Sequence, residues 1–354
     1  MKIAFVVPSL VNKGPIIVVH NLVTFLKDKV DVIDVYYFDD TPESSMLNFD
    51  CNLYKIRKSD KFDFNKYDII HTHTLRADVY IYRLRKNNTR AKIISTIHQN
   101  TFKSFSIRYS KLISLLLTNY WLYIQKQFDG IIAISNELNV TFNNKLNNKV
   151  TTIYNGCNLE SFKIDRNIEN LILQYKKQGY KVLGSYAYIT KGKGISQVLN
   201  VLRELPDFVY IIIGEGPFLN ELKKIVNQLH LNDRVLFIPY LKAPYLYLKY
   251  IDVYMMPSYS EGFGLAMVEA ALMKKAIVCS NIPSFNEIFE SSEVLFFDLD
   301  NQKSLINSIQ SAFFEREERG NLAYIKANKN FTSKIMAENH LNYYKNILKN
   351  NTCN

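Results

Sequence analysis

Tryptophan occurs once in this chain of 354 residues, with only 12 glycines, 9 prolines and 4 cysteines. So little glycine and proline excludes a collagen-like or low-complexity chain. Cys51, Cys157, Cys279 and Cys353 stand far apart and form no C-x-x-C pair. That pattern is neither a metal-site spacing nor a dense disulfide framework, and it fits a reducing compartment. Long hydrophobic runs are also missing. The longest, residues 112–124, is broken by Ser114, Thr118 and Asn119 and falls short of the ~20 residues that span a bilayer. At the amino terminus an apolar run follows Lys2, but Pro8 interrupts it and no small-residue cleavage site follows. A buried first strand and a cytoplasmic location are the expectations.

What is present is cationic and otherwise ordinary. Lys plus Arg total 44 against 33 Asp plus Glu, a formal charge of +11, and 47% of residues are hydrophobic, which excludes a disordered chain. Such a charge favours phosphorylated ligands, nucleic acid or an acidic membrane surface, unless the excess lysines are simply solvated. The cations are dispersed and no recognition module appears, so nucleic acid is not expected as a partner.

Short apolar runs alternate with helix-like segments from end to end. Residues 2–7, 32–37, 68–71, 92–97 and 130–134 read as buried strands, with helices over 16–27, 75–85 and 106–127. The rhythm pauses over 154–180 and restarts with strands at 181–186, 208–213, 234–238, 251–256, 276–279 and 294–297. Helices are expected between them over 194–203, 218–229, 244–249 and 265–273. Continuous apolar strands alternating with helices indicate parallel sheets covered on both faces. The expected fold is α/β, two doubly wound Rossmann-like domains facing a central cleft, with ligands at the loops that follow the strands. Residues 331–349 carry a final helical pattern.

The most informative stretch runs from Ser258 through Glu261-Gly262-Phe263-Gly264-Leu265 to Glu269, after an apolar strand and Pro257. The glycines let backbone approach a ligand, and the start of the following helix offers free N–H groups and a dipole to an anion such as phosphate. Glu269 is the only charge between Gly262 and Met273. A carboxylate in such a run needs a partner, because unpaired burial costs several kcal/mol. Sugar or ribose hydroxyls would serve both acids; pairing of Glu269 with a core cation, and Glu261 as a plain loop acid, is the competing reading.

Two acids in the frame E-G-F-G-L-x-x-x-E-A resemble the E-x7-E motif of retaining glycosyltransferases of family 4, which have the GT-B fold. Asp68-Ile-Ile-His71-Thr-His73, Ser95-Thr-Ile-His98, Asp129-Gly-Ile-Ile-Ala-Ile-Ser135, Ile153-Tyr-Asn155-Gly156 through Phe162, Lys193-Gly194 and Gly214-Glu-Gly216-Pro follow that family's order. The resemblance covers nearly the whole chain. It implies an acceptor-binding domain over 1–160, a nucleotide-sugar domain over 161–330, and a helix over 331–354 packing back on the first. It further implies catalytic roles for His98 near the donor sugar, Lys193 at the leaving diphosphate and Glu261 at sugar hydroxyls. Glu269 would take the ribose, Gly262, Phe263, Gly264 and Leu265 would approach the sugar and pyrophosphate, and Gly14 would lie near phosphates and acceptor. Tyr240 and Leu241 are candidates to lie beside the base. Two departures stand out. Asn12-Lys13-Gly14-Pro15 replaces the family's Gly-Gly loop, and Ala187 occupies the place of an arginine, for which Lys191 is the candidate substitute.

The implied function is transfer of a hexosyl or N-acetylhexosaminyl unit from a nucleotide-sugar, on prevalence a UDP-sugar, to a glycan or lipid-linked acceptor in bacterial surface polysaccharide synthesis. No cofactor and no metal are expected; Asp298-Leu-Asp300 reads as a helix cap, and His71 with His73 lack a third ligand. A nucleotide-sugar binding protein without turnover is the alternative. Residues 102–128 carry Lys103, Arg108, Lys111 and Lys126 without an acid, among aromatics and leucines. That segment reads either as a helix resting on an anionic membrane surface or as one packed in the core with its lysines at the rim.

Overall fold

The computed structural model describes residues 1–86, 89–106 and 109–349, so Arg108 and Cys353 lie outside the described residues. The chain forms two compact units: residues 1–156 with the closing segment from 332, and residues 157–331. Each is built on its own parallel sheet.

The first unit holds β1 (Lys2–Ser9), β2 (Val32–Asp39), β3 (Asn52–Lys55), β4 (Ile69–His73), β5 (Lys92–Ile97), β6 (Gly130–Ala133) and β7 (Val150–Thr152). Its helices up to the end of the sheet are α1 (Gly14–Leu26), α2 (Leu75–Leu84), α3 (Thr101–Ser106), α4 (Lys111–Lys126) and α5 (Asn136–Phe142). The strand order is β3-β2-β1-β4-β5-β6-β7, with Ile3 opposite both Ile33 and Ile69. The central strands are apolar on both faces because helices cover both, as the continuous runs require. The two strands without an apolar signature lie at the edges. All of β3 is exposed, and β7 has three residues. The helix expected over 106–127 begins at Lys111, where the Ser110 hydroxyl accepts from the Ile113 N–H.

The second unit holds β8 (Lys181–Tyr186), β9 (Phe208–Ile213), β10 (Val235–Ile238), β11 (Val253–Met256), β12 (Ala276–Ser280) and β13 (Leu295–Phe297). Its helices are α6 (Arg166–Lys177), α7 (Ile195–Val201), α8 (Leu219–Gln228), α9 (Leu265–Leu272), α10 (Pro283–Asn286), α11 (Gln302–Phe314) and α12 (Arg316–Asn330). The order β10-β9-β8-β11-β12-β13 again reverses between the first strand and the fourth. In such sheets the crevice at the carboxyl ends of those two strands is where ligands bind. The loops after β8 and β11 carry Lys191, Lys193 and the Glu261–Gly264 bend.

Three expectations need correction. The pause over 154–180 contains α6, a surface helix whose one buried residue is Ile172 and which Asp165 caps through the Asn167 N–H at 2.8 Å. Residues 244–250 form a 3-10 helix starting at Pro244, not an α-helix. Asp300 does not cap α11. That role belongs to Asn301, which accepts from the Ser304 N–H at 3.0 Å, while Asp300 adopts a left-handed φ of 59°.

The final helix, α13 (Ser333–Lys349), belongs to the first unit. Met336, Ala337, Leu341 and Tyr344 join Ile3, Phe5, Ile16 and Leu22 in one apolar cluster. The two chain passages between the units run side by side, which is why position 156 is glycine: a Cβ there would lie 2.3 Å from the Thr332 carbonyl oxygen. Tyr344 is fully buried, and its hydroxyl lies 2.7 Å from His71 Nδ1. Tyr344→Ala is expected to destabilise the first unit by roughly 3–5 kcal/mol, measured by denaturant unfolding.

Candidate active site

The two loops at the reversal point of the second sheet are fastened to each other by backbone. After β8 the chain makes a 3-10 turn over Lys191–Lys193 and reaches Gly194 at φ 63°. A Cβ on Gly194 would come within 1.9 Å of the Pro257 carbonyl oxygen, so only glycine lets this loop touch the one after β11. The Tyr259 N–H donates to the Gly192 carbonyl at 2.9 Å. Gln197, buried on α7, donates to the Pro257 carbonyl at 2.9 Å and accepts from the Asp300 N–H at 2.9 Å. It thereby ties in a third loop, and the Tyr259 hydroxyl donates to Asp300 at 2.5 Å.

On this frame Lys193 Nζ lies 2.6 Å from Glu261 Oε1, and the Ser258 hydroxyl donates to the same oxygen at 2.8 Å. Both partners of the ion pair keep part of their surface in solvent, 30% for Lys193 and 15% for Glu261. A pair of that exposure stabilises the fold by about 1 kcal/mol or less, so it orients more than it holds. Glu261 Oε2 has no hydrogen-bond partner among the described residues. Gly262, Phe263 and Gly264 then turn the chain into α9, with Gly264 at φ 99° beneath the Phe285 ring. Leu265 is the first residue of α9.

Glu269 sits on the second turn of α9. Its Oε2 accepts from the Tyr186 hydroxyl, 2.6 Å away at the end of β8, and no cation pairs with it among the described residues. Burial pushes the carboxyl up to about 7, with the Tyr186 hydrogen bond opposing that rise. The competing reading of Glu269 as the partner of a core cation therefore fails. Both acids share one design, an oxygen secured by the protein and an oxygen left over. Lys191 is exposed in the turn and makes no ion pair among the described residues. Tyr240 and Leu241 follow β10 at the same carboxyl edge, two strands from β8, with Tyr240 exposed at the surface.

In the first unit Gly14 opens α1 directly after the β1 loop, and a Cβ there would meet nothing within 4 Å. His98 follows β5, and its Nε2 lies 2.8 Å from His73 Nδ1. His71 and His73 are fully buried, and burial drives both well below the ordinary histidine range. His98 is pushed down to about 3, first by burial and then by the neighbouring His340. These imidazoles are neutral at pH 7. Among the described residues no three His, Cys, Asp or Glu side chains form a group able to hold a metal ion.

A family model described as glycosyl transferases group 1 matches residues 168–329, and one described as glycosyltransferase family 4 matches residues 15–161. The O-antigen biosynthesis glycosyltransferase WclY of Escherichia coli is 30% identical over 362 aligned residues, covering 99% of each chain. The chain belongs to this family of glycosyltransferases. A second E. coli relative, the UDP-Gal:alpha-D-GlcNAc-diphosphoundecaprenol alpha-1,3-galactosyltransferase, is 26% identical over 73% of this chain and 68% of its own. The crystal structure of HepE from Anabaena in complex with UDP and glucose superposes with a TM-score of 0.82 at 18% identity, covering 98% of this chain and 99% of that one. At that identity the likeness shows the fold, and the fold is that of GT-B glycosyltransferases.

Two residues of this candidate site escaped the sequence reading, and Ser258 was named only as the start of the acidic stretch. Tyr186 and Gln197 lie outside the acidic motif, and only their places at the end of a strand and on a loop-facing helix mark them. One consequence concerns Glu269. A carboxyl whose folded-state value is raised from 4.5 to about 7 binds more protons folded than unfolded, so stability falls as pH rises between those values. Glu269→Gln is expected to raise the melting temperature of the ligand-free enzyme at pH 8, to change it little at pH 5, and to weaken nucleotide binding. Differential scanning calorimetry and titration calorimetry check the two halves.

Proposed function

We propose that this glycosyltransferase moves a hexosyl or N-acetylhexosaminyl unit from a UDP-sugar to a glycan or lipid-linked saccharide during bacterial surface polysaccharide synthesis, with retention of anomeric configuration. The observation that carries the reading is the pair of half-satisfied acids at the reversal point of the second sheet. A pyranose or ribose presents adjacent hydroxyls, and each can donate to a carboxylate oxygen that the protein leaves open. Glu261 would take sugar hydroxyls and Glu269 the ribose, with Tyr240 and Leu241 beside the base. The WclY and diphosphoundecaprenol relatives support the polysaccharide and lipid-linked assignment.

As the glycosidic bond breaks, negative charge grows on the departing diphosphate. Lys193 and the N–H groups at the start of α9 meet that charge with fixed dipoles and a cation already in place, and such preorganisation lowers the barrier. Donor binding transfers Lys193 from Glu261 toward phosphate, which frees Glu261 for the sugar. Lys191 supplies the positive charge that Ala187 lacks. With the leaving charge met by Lys193 and α9, the reading is front-face transfer, in which the departing phosphate accepts the acceptor's proton.

Helix α4 adds a surface to this picture. Its buried face mixes apolar Trp121, Leu122 and Ile124 with Ser114, Thr118 and Gln125, and Trp121 and Gln125 donate to the buried carboxylate of Asp78 at 2.5 and 3.3 Å. Its outer face is apolar: Leu112 is 69% exposed and Leu116 61%, beside exposed Leu115, Tyr120 and Tyr123. The helix thus packs one face in the core and leaves a second, apolar face outside it. An apolar outer face with Lys111 and Lys126 at the two ends of the helix, and Lys103 exposed on α3 before it, fits an anionic membrane surface, where a lipid-linked acceptor resides. No helix among the described residues is long and apolar enough to cross a membrane.

Two outcomes are expected. Lys193→Ala lowers kcat by about 10²–10³-fold with a smaller change in nucleotide affinity, read as released nucleoside diphosphate, and the product keeps the donor's anomeric configuration by NMR. An inverted product ends the front-face reading. Separately, Leu112→Asp combined with Leu116→Asp abolishes cosedimentation with phosphatidylglycerol vesicles while leaving the turnover of a soluble acceptor unchanged; undiminished vesicle binding rejects the membrane face.

A further inference from the structure

We infer that His73 is a positioning residue that fixes His98 in the tautomer with its proton on Nδ1, so that His98 meets its ligand as a hydrogen-bond donor and not as a base. This rests on the reading that His98 serves glycosyl transfer. His73 Nδ1 and His98 Nε2 lie 2.8 Å apart. One of these nitrogens must carry the proton and the other a lone pair, because both rings are neutral.

The remaining nitrogen of His73 decides which. His73 Nε2 is buried without a hydrogen-bond partner. The ring is fully buried between Phe5, with centroids 6.2 Å apart, and His71, with centroids 4.4 Å apart. An orphaned buried N–H is rarer in native proteins than an under-used lone pair. The proton therefore belongs on His73 Nδ1, from which it is donated to His98 Nε2. His340 shows the same preference nearby: its Nδ1 lies 2.8 Å from the Met336 carbonyl, which can only accept, so its own partnerless Nε2 is a lone pair.

With Nε2 accepting, the His98 proton sits on Nδ1, for which no protein partner is present among the described residues. That N–H is left for an oxygen of the ligand, a sugar hydroxyl or carbonyl or a phosphate oxygen. A histidine so arranged has no free basic nitrogen with which to take the acceptor's proton, which agrees with the departing phosphate doing so. The sequence shows His73 and His98 only in two separate family-like segments, and the pairing of β4 with β5 together with the side-chain geometry shows that one orients the other.

Long-range 1H–15N correlation spectra of the full-length protein labelled with 15N-histidine test this, with His98→Ala and His73→Phe assigning the resonances. The Nδ1–H pattern is expected for His98 in the unaltered protein, reverting toward the usual Nε2–H form in His73→Phe, whose kcat drops roughly tenfold with little change in donor KM. An Nε2–H pattern for His98 in the unaltered protein overturns the inference whatever the variants do, and so does an Nδ1–H pattern that persists in His73→Phe. If His98→Ala turns over at the full rate while His98 shows the Nδ1–H pattern, the transfer role of His98 fails and the tautomer assignment stands.

Discussion

Everything at the candidate active site depends on carboxylates that the protein satisfies only in part. Glu261 has one oxygen bound to Lys193 and Ser258, and Glu269 has one oxygen bound to Tyr186. A fully satisfied pair would be a structural ion network with nothing left for a ligand. An unsatisfied buried pair would cost several kcal/mol and destabilise the loops that carry it. The intermediate arrangement is tolerable without ligand and improves when hydroxyl donors arrive. The cost is visible in Glu269, whose burial raises it to about 7.

That arrangement needs a stiff frame, which comes from backbone contacts. Gly194 against the Pro257 carbonyl, Tyr259 on Gly192, and Gln197 bridging Pro257 and Asp300 join three loops without using either acid. In the first unit the corresponding stiffness is polar and buried. His71 bridges Tyr344 and Thr96, and Asp78 gathers Thr72, Ser95, Trp121 and Gln125. The first network anchors the returning helix and the second anchors α4, with Leu112, Leu115 and Leu116 of that helix turned outward.

The fold was legible where burial is two-sided. The strands at 92–97, 181–186 and 208–213 are as read from their apolar runs, because a strand covered on both faces has no polar alternation to confuse it. Edge strands β3 and β7 were not legible, since one is wholly exposed and the other too short to carry a pattern. Helix α6 was missed for a related reason: a single buried residue leaves little periodicity. At the candidate site, Glu261 and Glu269 stand out in the sequence through the spacing of a known motif and Lys193 through a separate family-like segment, and the structure brings Lys193 to Glu261. Tyr186, Gln197 and His73 were not given such roles, because their parts arise from pairings across 83, 60 and 25 residues of sequence.

The most direct measurement of the central claim is a double-mutant cycle by titration calorimetry, with UDP and 2′,3′-dideoxy-UDP binding to the unaltered enzyme and to Glu269→Gln. If the open oxygen of Glu269 grasps the ribose, removing the hydroxyls weakens binding to the unaltered enzyme by about tenfold or more and costs Glu269→Gln much less. Equal losses in both proteins would show that the ribose hydroxyls and Glu269 do not meet, and the account would be wrong at its root.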